Sequence, residues 1–398
     1  MSALPLRDLL TKAPFSVTSG QTGDQARVRR DNLIADTSAS LRSERVKALL
    51  LGIADYSPYL SHLIRADPSR VHRLLDAPPQ ESLSICLETL ASACGLATSE
   101  AEAMRLLRRA KQEIALLIAL ADLGGVWSGE TVMTALTEAA DVFVGSAFRF
   151  ILHNAIAGQK LICADMAEPE RACGVVILAL GKHGAGELNY SSDTDLIVLF
   201  DPASPAIAGS VEAGALFVRL TRQLVKILQE RTADGYVLRV DLRLRPDPGS
   251  TAIAISLPAA FSYYELYGQN WERAALIKAR PIAGDLRLGA TFLAELAPFI
   301  WRKYLDYAAI ADIHAMKRQI HAVRGHAEVT VAGHDVKLGR GGIREIEFFV
   351  QTQQLIYGGK SVTLRGARTL AMLAELAREG LVSLEAREDL TAAYLFLR

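Results

Sequence analysis

Two short apolar runs on either side of a polar segment constrain this fold more than any other feature of the sequence. The runs are "GVVILALG" at 174–181 and "DLIVLFD" at 195–201, and both consist mainly of branched apolar residues bounded by glycine or aspartate. Runs of this length and composition are typical of strands buried in the middle of a sheet. The glycine-rich and aspartate-rich segment "LGKHGAGELNYSSDTDL" at 180–196 is therefore predicted to join two buried strands.

Helical periodicity dominates the rest of the chain. Apolar residues recur at helical spacing from about residue 40 to 158, and "AGALFVRLTRQLVKILQER" at 213–231 repeats leucine every four residues. We predict a mostly helical α+β fold with a small mixed sheet. Its regions would be a helical N-terminal region at 1–158, a catalytic domain at 159–290 and a helical region at 291–398. The last helical pattern has no stop signal, which predicts that the chain is cut there.

A third candidate strand, "GYVLRVDLRLRPD" at 235–247, alternates apolar and charged residues. Successive side chains of a strand point to opposite faces, so Arg239, Asp241, Arg243 and Arg245 would share one charged face. A solvated antiparallel strand would show the same alternation. From this segment alone, a functional face and an ordinary solvent-facing one are equally consistent.

Composition gives no sign of a nucleic-acid or membrane partner, and a polyanion would have to be bound by a local group of charges. Lys+Arg and Asp+Glu both number 44 in 398 residues, so no overall basic charge indicates nucleic acid or an anionic membrane. The four cysteines form neither CxxC pairs nor zinc-ligand spacing, which favours a reducing, cytoplasmic setting. No apolar segment reaches the length of a membrane span, and the N-terminus lacks the pattern of a secretion signal. We therefore predict a cytoplasmic protein that binds neither nucleic acid nor membrane.

The aspartates of the polar segment predict a metal site. Asp193 and Asp195 stand two residues apart at the start of a predicted strand, so their carboxylates leave the same face. Like charges at this distance are tolerated mainly when a cation lies between them, and oxygen ligands of this kind suit Mg²⁺ or Mn²⁺. Asp241, on the charged face of the third candidate strand, would be the third carboxylate of a two-metal site.

The glycines of the same segment predict a phosphate site. Gly181, Gly184 and Gly186 let the backbone approach a ligand closely, and Lys182 adds a positive charge. Neither a dinucleotide fingerprint nor a Walker loop is present, and a purely structural loop is the alternative. "KLGRGGIRE" at 337–345 is either a second phosphate-facing loop or a turn that starts a helix.

Two histidines, His314 and His321, share a helix face by their spacing. No HExxH motif surrounds them, so we expect a solvated helix surface rather than a metal site.

With these motifs in place, the chain resembles the bifunctional glutamine synthetase adenylyltransferase/adenylyl-removing enzymes. The stretches that carry the resemblance are "LGKHGAGELNYSSDTDLIVLFD", "VDLRLRPDPGS", "YGQNWERAALIKARPIAGD" and "DVKLGRGGIREIEFFVQTQQLIYGG". Members of this family contain two nucleotidyltransferase halves of the DNA polymerase beta type, joined by a regulatory region. The resemblance implies that this chain is an N-terminal fragment with one half, the half that removes AMP.

The implied reaction is metal-dependent phosphorolysis, in which phosphate attacks the AMP group on a tyrosine of adenylylated glutamine synthetase and releases ADP. By this resemblance, Asp193, Asp195 and Asp241 hold Mg²⁺, or Mn²⁺, and are the catalytic residues. The phosphate- and nucleotide-binding residues would be Gly181, Lys182, Gly184, Ser192, Arg243 and Arg245. Implied partners are glutamine synthetase and the PII signalling protein, with phosphate, ADP, ATP and glutamine as small ligands. The alternatives are adenylylation of glutamine synthetase by ATP and a non-catalytic nucleotide-binding regulatory module.

Overall fold

A computed structural model of the chain describes residues 4–14, 28, 43–303 and 334–398. The chain divides into two compact units, one formed by Met1–Phe150 and Glu230–Val237, the other by Ile151–Gln229 and Leu238–Arg398. The second unit therefore contains both the strands and the C-terminal helices. The three-region division at residues 158 and 290 stays a prediction. His314 and His321 lie outside the described residues.

The first unit is helical, as its periodicity predicts. Several of its helices begin with proline at the first helical position, which fits there because that residue has no intrahelical hydrogen bond to donate. Ser57 and Asp67 cap two of them by accepting backbone N–H groups. The described helices are α1 (Leu6–Leu9), α2 (Glu44–Tyr56), α3 (Pro58–Ala66), α4 (Pro68–Asp76), α5 (Pro79–Gly95), α6 (Glu100–Leu123) and α7 (Gly129–Ala157), the last of which continues into the second unit after Phe150.

The segment Glu230–Val237 forms a turn within the first unit. The fully buried guanidinium of Arg108 on α6 donates from Nε to the Gly235 carbonyl at 2.9 Å and from Nη2 to the Glu230 carbonyl. This anchoring corrects the third candidate strand, which the alternation placed at 235–247. The strand contains only Arg239–Asp241, because the residues before it are held in the turn and the residues after it form a loop that the guanidinium of Arg245 closes.

The second unit is built on a mixed sheet whose five described strands are β1 (Val175–Ala179), β2 (Asp193–Phe200), β3 (Arg239–Asp241), β4 (Ala254–Ser256) and β5 (Arg280–Gly284). β1 pairs antiparallel with β2 on one side and with β5 on the other. The outer edge of β2 is shared: β3 runs parallel to its first residues and β4 parallel to its last. The two predicted buried strands are confirmed, since all of β1 and most of β2 are buried.

Helices cover this sheet and extend the unit to its C-terminus. They are α8 (Gly181–Gly184), α9 (Ala213–Gln229), α10 (Leu257–Leu266), α11 (Asn270–Leu276), α12 (Leu286–Glu295), α13 (Ala297–Ile300), α14 (Ile343–Tyr357), α15 (Thr369–Arg378) and α16 (Leu384–Leu397). Leu178 and Leu199 from the strands share one apolar core with Tyr264 and Phe292 from the helices. The prediction of a mostly helical α+β fold with a small mixed sheet is confirmed. Among the described residues, no helix has the length and apolar character needed to cross a bilayer.

Candidate active site

Three carboxylates lie along one edge of the sheet, where β2 and β3 begin to pair. The parallel register places Asp195 directly opposite Asp241, and Asp193 directly opposite Arg239. Residues in register on neighbouring strands share a face, and so do residues two apart on one strand. The structure therefore brings together the three aspartates that the sequence predicts as metal ligands.

Asp195, in the middle of this set, is a half-buried acid without a partner. Within the described residues its carboxylate accepts no hydrogen bond and forms no ion pair. Burial, together with the negative charges of Asp241 and Asp193, raises the pKa of Asp195 to about 6. An acid kept in this environment is destabilised when it ionises, and a bound cation would relieve that cost.

The two outer aspartates are paired with arginines. Asp193 lies 2.5 Å from Nε of Arg239, and Asp241 accepts from Nε of Arg243 at 2.9 Å. The hydrogen bond from Arg243 lowers the pKa of Asp241 below its ordinary value. Arg239 had no assigned role in the sequence analysis, although it stands on the charged face two residues before Asp241. The sequence signal for a role of Arg239 was its position on this face. The parallel register of β2 and β3 brings Arg239 into contact with Asp193.

The donor chemistry of this edge fits a divalent cation, but the side chains do not converge on one. Carboxylate oxygens are the ligands that Mg²⁺ and Mn²⁺ prefer. Within the part of the chain that the structure describes, no group of three or more His, Cys, Asp or Glu side chains is arranged around a common point. The pairing of Asp193 and Asp241 with arginines accounts for this, because it holds the outer carboxylates on guanidinium groups. The metal site stays a prediction, supported by residue type and by the unpartnered Asp195.

The glycine segment brings a backbone turn against Asp195. Gly181 has a φ of +56°, and a Cβ atom there would lie 2.4 Å from Oδ2 of Asp195. The N–H of Leu180 donates to the carbonyl of Asp195 at 2.9 Å. Only glycine combines this backbone conformation with so close an approach. At Gly184 the fold itself requires glycine, because a Cβ there would lie 1.9 Å from the Lys278 carbonyl, and its assignment to phosphate stays a prediction.

Lys182 is half-buried among other cations. It forms no ion pair with the described residues, and burial together with the charge of Arg398 lowers its pKa. Lys337 and Lys278 lower the pKa further, while Glu347 opposes them. A bound anion would be stabilised beside this group of positive charges. The phosphate role predicted for Lys182 is therefore electrostatically reasonable.

Two other predicted phosphate ligands are used within the fold. The guanidinium of Arg245 donates to the carbonyls of Leu242, Pro248, Thr251 and Ala252 and so closes the loop after β3. Ser192 closes the turn before β2, where its Oγ accepts the Asn189 N–H at 3.3 Å. Their assignment to phosphate stays a prediction to which these contacts add no support.

The segment 337–345 has the turn that one interpretation of the sequence predicts, and its role as a second phosphate-facing loop stays a prediction. It is a turn that starts α14: Asp335 accepts the N–H groups of Lys337 and Leu338, and Glu345 accepts that of Gly341. Its charges also reach the site, since Arg344 lowers the pKa of Asp195 and Lys337 that of Lys182. Cations from the C-terminal helical region thus act on both the carboxylate edge and the glycine segment.

Comparison with known proteins supports the resemblance seen in the motifs. The family model described as glutamate-ammonia ligase adenylyltransferase matches residues 48–295, and that described as GlnD PII-uridylyltransferase matches residues 313–398. The first match spans all five strands and the three aspartates. The second spans α14, α15 and α16.

Curated relatives share the name bifunctional glutamine synthetase adenylyltransferase/adenylyl-removing enzyme. The one from Xanthobacter autotrophicus is 55% identical over 357 residues, which are 90% of this chain and 36% of the relative. The one from Bradyrhizobium diazoefficiens is 55% identical over 350 residues, 88% of this chain and 35% of the relative. The one from Brucella suis is 52% identical over 375 residues, 94% of this chain and 38% of the relative.

This chain therefore spans little more than a third of the length of these relatives. The residues that the first family model matches include the glycine segment and the carboxylate edge. The match of the family model to most of the chain is decisive. The chain belongs to the glutamate-ammonia ligase adenylyltransferase family.

Proposed function

We propose that this chain removes AMP from an adenylylated tyrosine of glutamine synthetase by metal-dependent phosphorolysis. Phosphate attacks the phosphorus of the AMP group, the bond to the tyrosine oxygen breaks, and the products are ADP and the tyrosine, which takes up a proton. The substrate class is supported by the name of the relatives, which act on glutamine synthetase. The direction is the one that the resemblance implies.

The observation that carries this proposal is the carboxylate edge. Asp195 lies opposite Asp241 and on the same face as Asp193, and it has no partner of its own among the described residues. A binding module has no need for three mutually repelling acids, whereas phosphoryl chemistry does need a place that concentrates positive charge. Asp193, Asp195 and Asp241 would hold Mg²⁺, or Mn²⁺. When bound, the metal neutralises charge on the oxygens of the reacting phosphates.

The remaining residues of the site would bind and orient the phosphates. Lys182 places its positive charge beside the glycine turn, where Gly181 lets the backbone come close. Arg243 is exposed and lies against Asp241, so it can contact a phosphate oxygen at the same edge. Catalysis of this kind consists mainly of positioning and charge stabilisation, which these groups provide without a covalent step on the protein.

A second candidate function is the opposite reaction, adenylylation of glutamine synthetase by ATP. The name of the relatives includes both activities, and the chain spans about a third of their length. Both reactions would use the same carboxylates and the same phosphate-binding groups. The PII protein and glutamine are proposed as regulators of the whole protein, by the same resemblance.

The test is ADP release from adenylylated glutamine synthetase in the presence of Mg²⁺ and phosphate. The variant is Asp193→Asn/Asp195→Asn, and the matched control is Asp201→Asn, which changes an aspartate just beyond the other end of β2. We expect ADP from the wild type and the control, only when phosphate is present, and none from the double variant.

Other products would identify the alternatives. Release of AMP instead of ADP would contradict phosphorolysis. Transfer of AMP from ATP to unmodified glutamine synthetase, without the reverse reaction, would establish the adenylylating direction. A folded protein that catalyses neither reaction but binds nucleotide would be a regulatory module.

A further inference from the structure

Glu187 is a buried acid of the glycine segment that the proposed reaction does not use. It lies after the glycine turn and before β2, eight residues ahead of Asp195 in the sequence, and only 5% of the residue is exposed. Burial of an acid is unfavourable unless donors surround it. The groups that surround Glu187 therefore indicate what the burial achieves.

Glu187 has donors from three different parts of the second unit. Thr369, the first residue of α15, donates its N–H to Oε1 at 2.7 Å and its hydroxyl to Oε2 at 3.1 Å. The phenol of Tyr394 on α16 donates to Oε2 at 3.2 Å, and burial raises its pKa, so the phenol keeps its proton. Lys278, which precedes β5, places its ammonium 3.8 Å from the same oxygen.

The contact with Thr369 replaces a missing helix cap. No side chain at the start of α15 caps the helix itself. The first N–H groups of a helix need acceptors, and a negative charge there interacts favourably with the helix dipole. Glu187 supplies both from 182 residues away in the sequence. The start of α15 is therefore fixed on the glycine segment.

Arg398 makes the second connection. Its Nη1 donates to the carbonyl of Glu187 at 3.1 Å and to the side chain of Asn189 at 3.2 Å, while Nη2 lies 3.6 Å from the carboxylate of Glu187. Nη2 also donates to Glu347 on α14 at 3.2 Å. One buried guanidinium thus joins α14 and α16 to the glycine segment.

The anchored segment leads directly into the candidate active site on both sides. Upstream, the N–H of Glu187 donates to the carbonyl of Lys182 at 2.8 Å. Downstream, Asn189 and Ser192 close the turn after which Asp193 begins β2. Any displacement of Glu187 would therefore be transmitted to Lys182 and to Asp193.

We propose that Glu187 is a positioning residue of the transferase site, which orients Lys182 and Asp193 by fixing the glycine segment on α15 and α16. This inference rests on the proposed function. Replacing a buried ion pair by apolar residues is often neutral for stability, so stability alone gives little reason to bury Glu187 with Lys278 and Arg398. A buried hydrogen-bond network whose groups are all satisfied makes the structure around it rigid and holds it in one geometry.

The test compares Glu187→Gln with Glu379→Gln in this 398-residue chain. Glutamine keeps the size of Glu187 and removes its charge, and Glu379 is an exposed acid of the same region that accepts from Ser361 at 2.6 Å. For ADP formation, we expect Glu187→Gln to lower kcat about 10- to 100-fold with little change in KM, the range for residues that orient catalytic groups. Glu379→Gln should match the wild type.

A second readout does not depend on activity. Amide hydrogen exchange of residues 181–195 should become at least about 10-fold faster in Glu187→Gln, while exchange of α9 (Ala213–Gln229) stays unchanged. A purely structural role predicts instead that both segments exchange faster together, or that KM and kcat change in parallel with the folded fraction. Either of these results would overturn the proposal.

Tyr394→Phe serves as the milder variant if Glu187→Gln does not fold. It removes the hydrogen bond to Glu187 and the one that the phenol accepts from Arg398, and it leaves every charge in place. We expect kcat to fall at least about 5-fold, the equivalent of one net hydrogen bond or more, with faster exchange confined to 181–195. Unchanged kcat and exchange would overturn the positioning role. A wild type that forms no ADP would refute the proposed function, and the exchange comparison would then decide on Glu187 by itself.

Discussion

Asp195 and Glu187 are two acids of one short segment, and their surroundings are opposite. Glu187 is almost fully buried, yet its carboxylate has donors from Thr369, Tyr394, Lys278 and Arg398. Asp195 is less buried, yet within the described residues it has no partner and faces two other acids. Burial alone does not distinguish a functional acid from a structural one. The distinction lies in whether the fold has already satisfied the charge.

The largest effect that this comparison predicts is on activity. Asp195→Asn should reduce ADP formation about 10³- to 10⁴-fold, which corresponds to about 4 to 5.5 kcal/mol in the barrier, because the charge that would hold the metal is lost. The same variant should be at least as stable as the wild type, because the unsatisfied charge is removed as well. Steady-state assays and urea unfolding measure the two quantities. A strong loss of stability would remove the contrast with Glu187.

The next effect is on stability. Glu187→Ala should lower the free energy of unfolding by about 3 kcal/mol, because it leaves Lys278 and Arg398 buried without their counter-charge. Unlike Glu187→Gln, it also removes every acceptor oxygen from the donors of Thr369 and Tyr394. Urea unfolding followed by circular dichroism would measure it, with Glu379→Ala as the exposed control. A loss as small as that of the control would mean that water or another acid replaces Glu187.

An intermediate effect concerns the glycine that approaches Asp195. Gly181→Ala should lower activity about 10- to 100-fold, because its Cβ would displace the Asp195 carboxylate that lies 2.4 Å away. Gly380→Ala is the matched control, since Gly380 also has a positive φ, of +73°, but has nothing within 4 Å of the added carbon. Both variants should lose about 1 kcal/mol of stability from the backbone conformation. Equal activity in the two variants would show that Asp195 tolerates displacement.

The smallest effect is a pH dependence. The pKa of Asp195 is raised to about 6 in the folded protein, from 3.8. Its ionisation therefore destabilises the fold above pH 6, and this cost disappears as the pH falls from 6 towards 3.8. In the presence of a chelator, Asp195→Asn should exceed the wild type in stability by about 1 to 2 kcal/mol at pH 8, and the difference should vanish near pH 4. A difference that is constant with pH would contradict the raised pKa.

Local patterns were sufficient to predict the centre of this fold. The branched apolar runs became β1 and β2, and the fourfold leucine repeat became α9. Asp193 and Asp195 were predicted at the start of β2, where they are, because period-two geometry and strand boundaries depend on nearby residues only.

Features that depend on distant residues were not predictable. The strand expected at 235–247 is limited to Arg239–Asp241 because Arg108, far away in the sequence, holds the preceding turn. Glu187 lies in the glycine segment, but no feature of the sequence around it predicted a role for it. Its partners lie far away in the sequence, from Lys278, 91 residues later, to Arg398, 211 residues later.

The cap that Glu187 provides for α15 also affects when the site can form during synthesis of the chain. A ribosome adding about 5 to 20 residues per second needs roughly 10 to 40 seconds to make the residues between Glu187 and Thr369. Asp241 is the last residue of the carboxylate edge to be synthesised, and it precedes Thr369 by many residues. During synthesis, Glu187 is therefore made before the groups on α15 and α16 that it contacts. The site acquires its final geometry only when these helices have been synthesised.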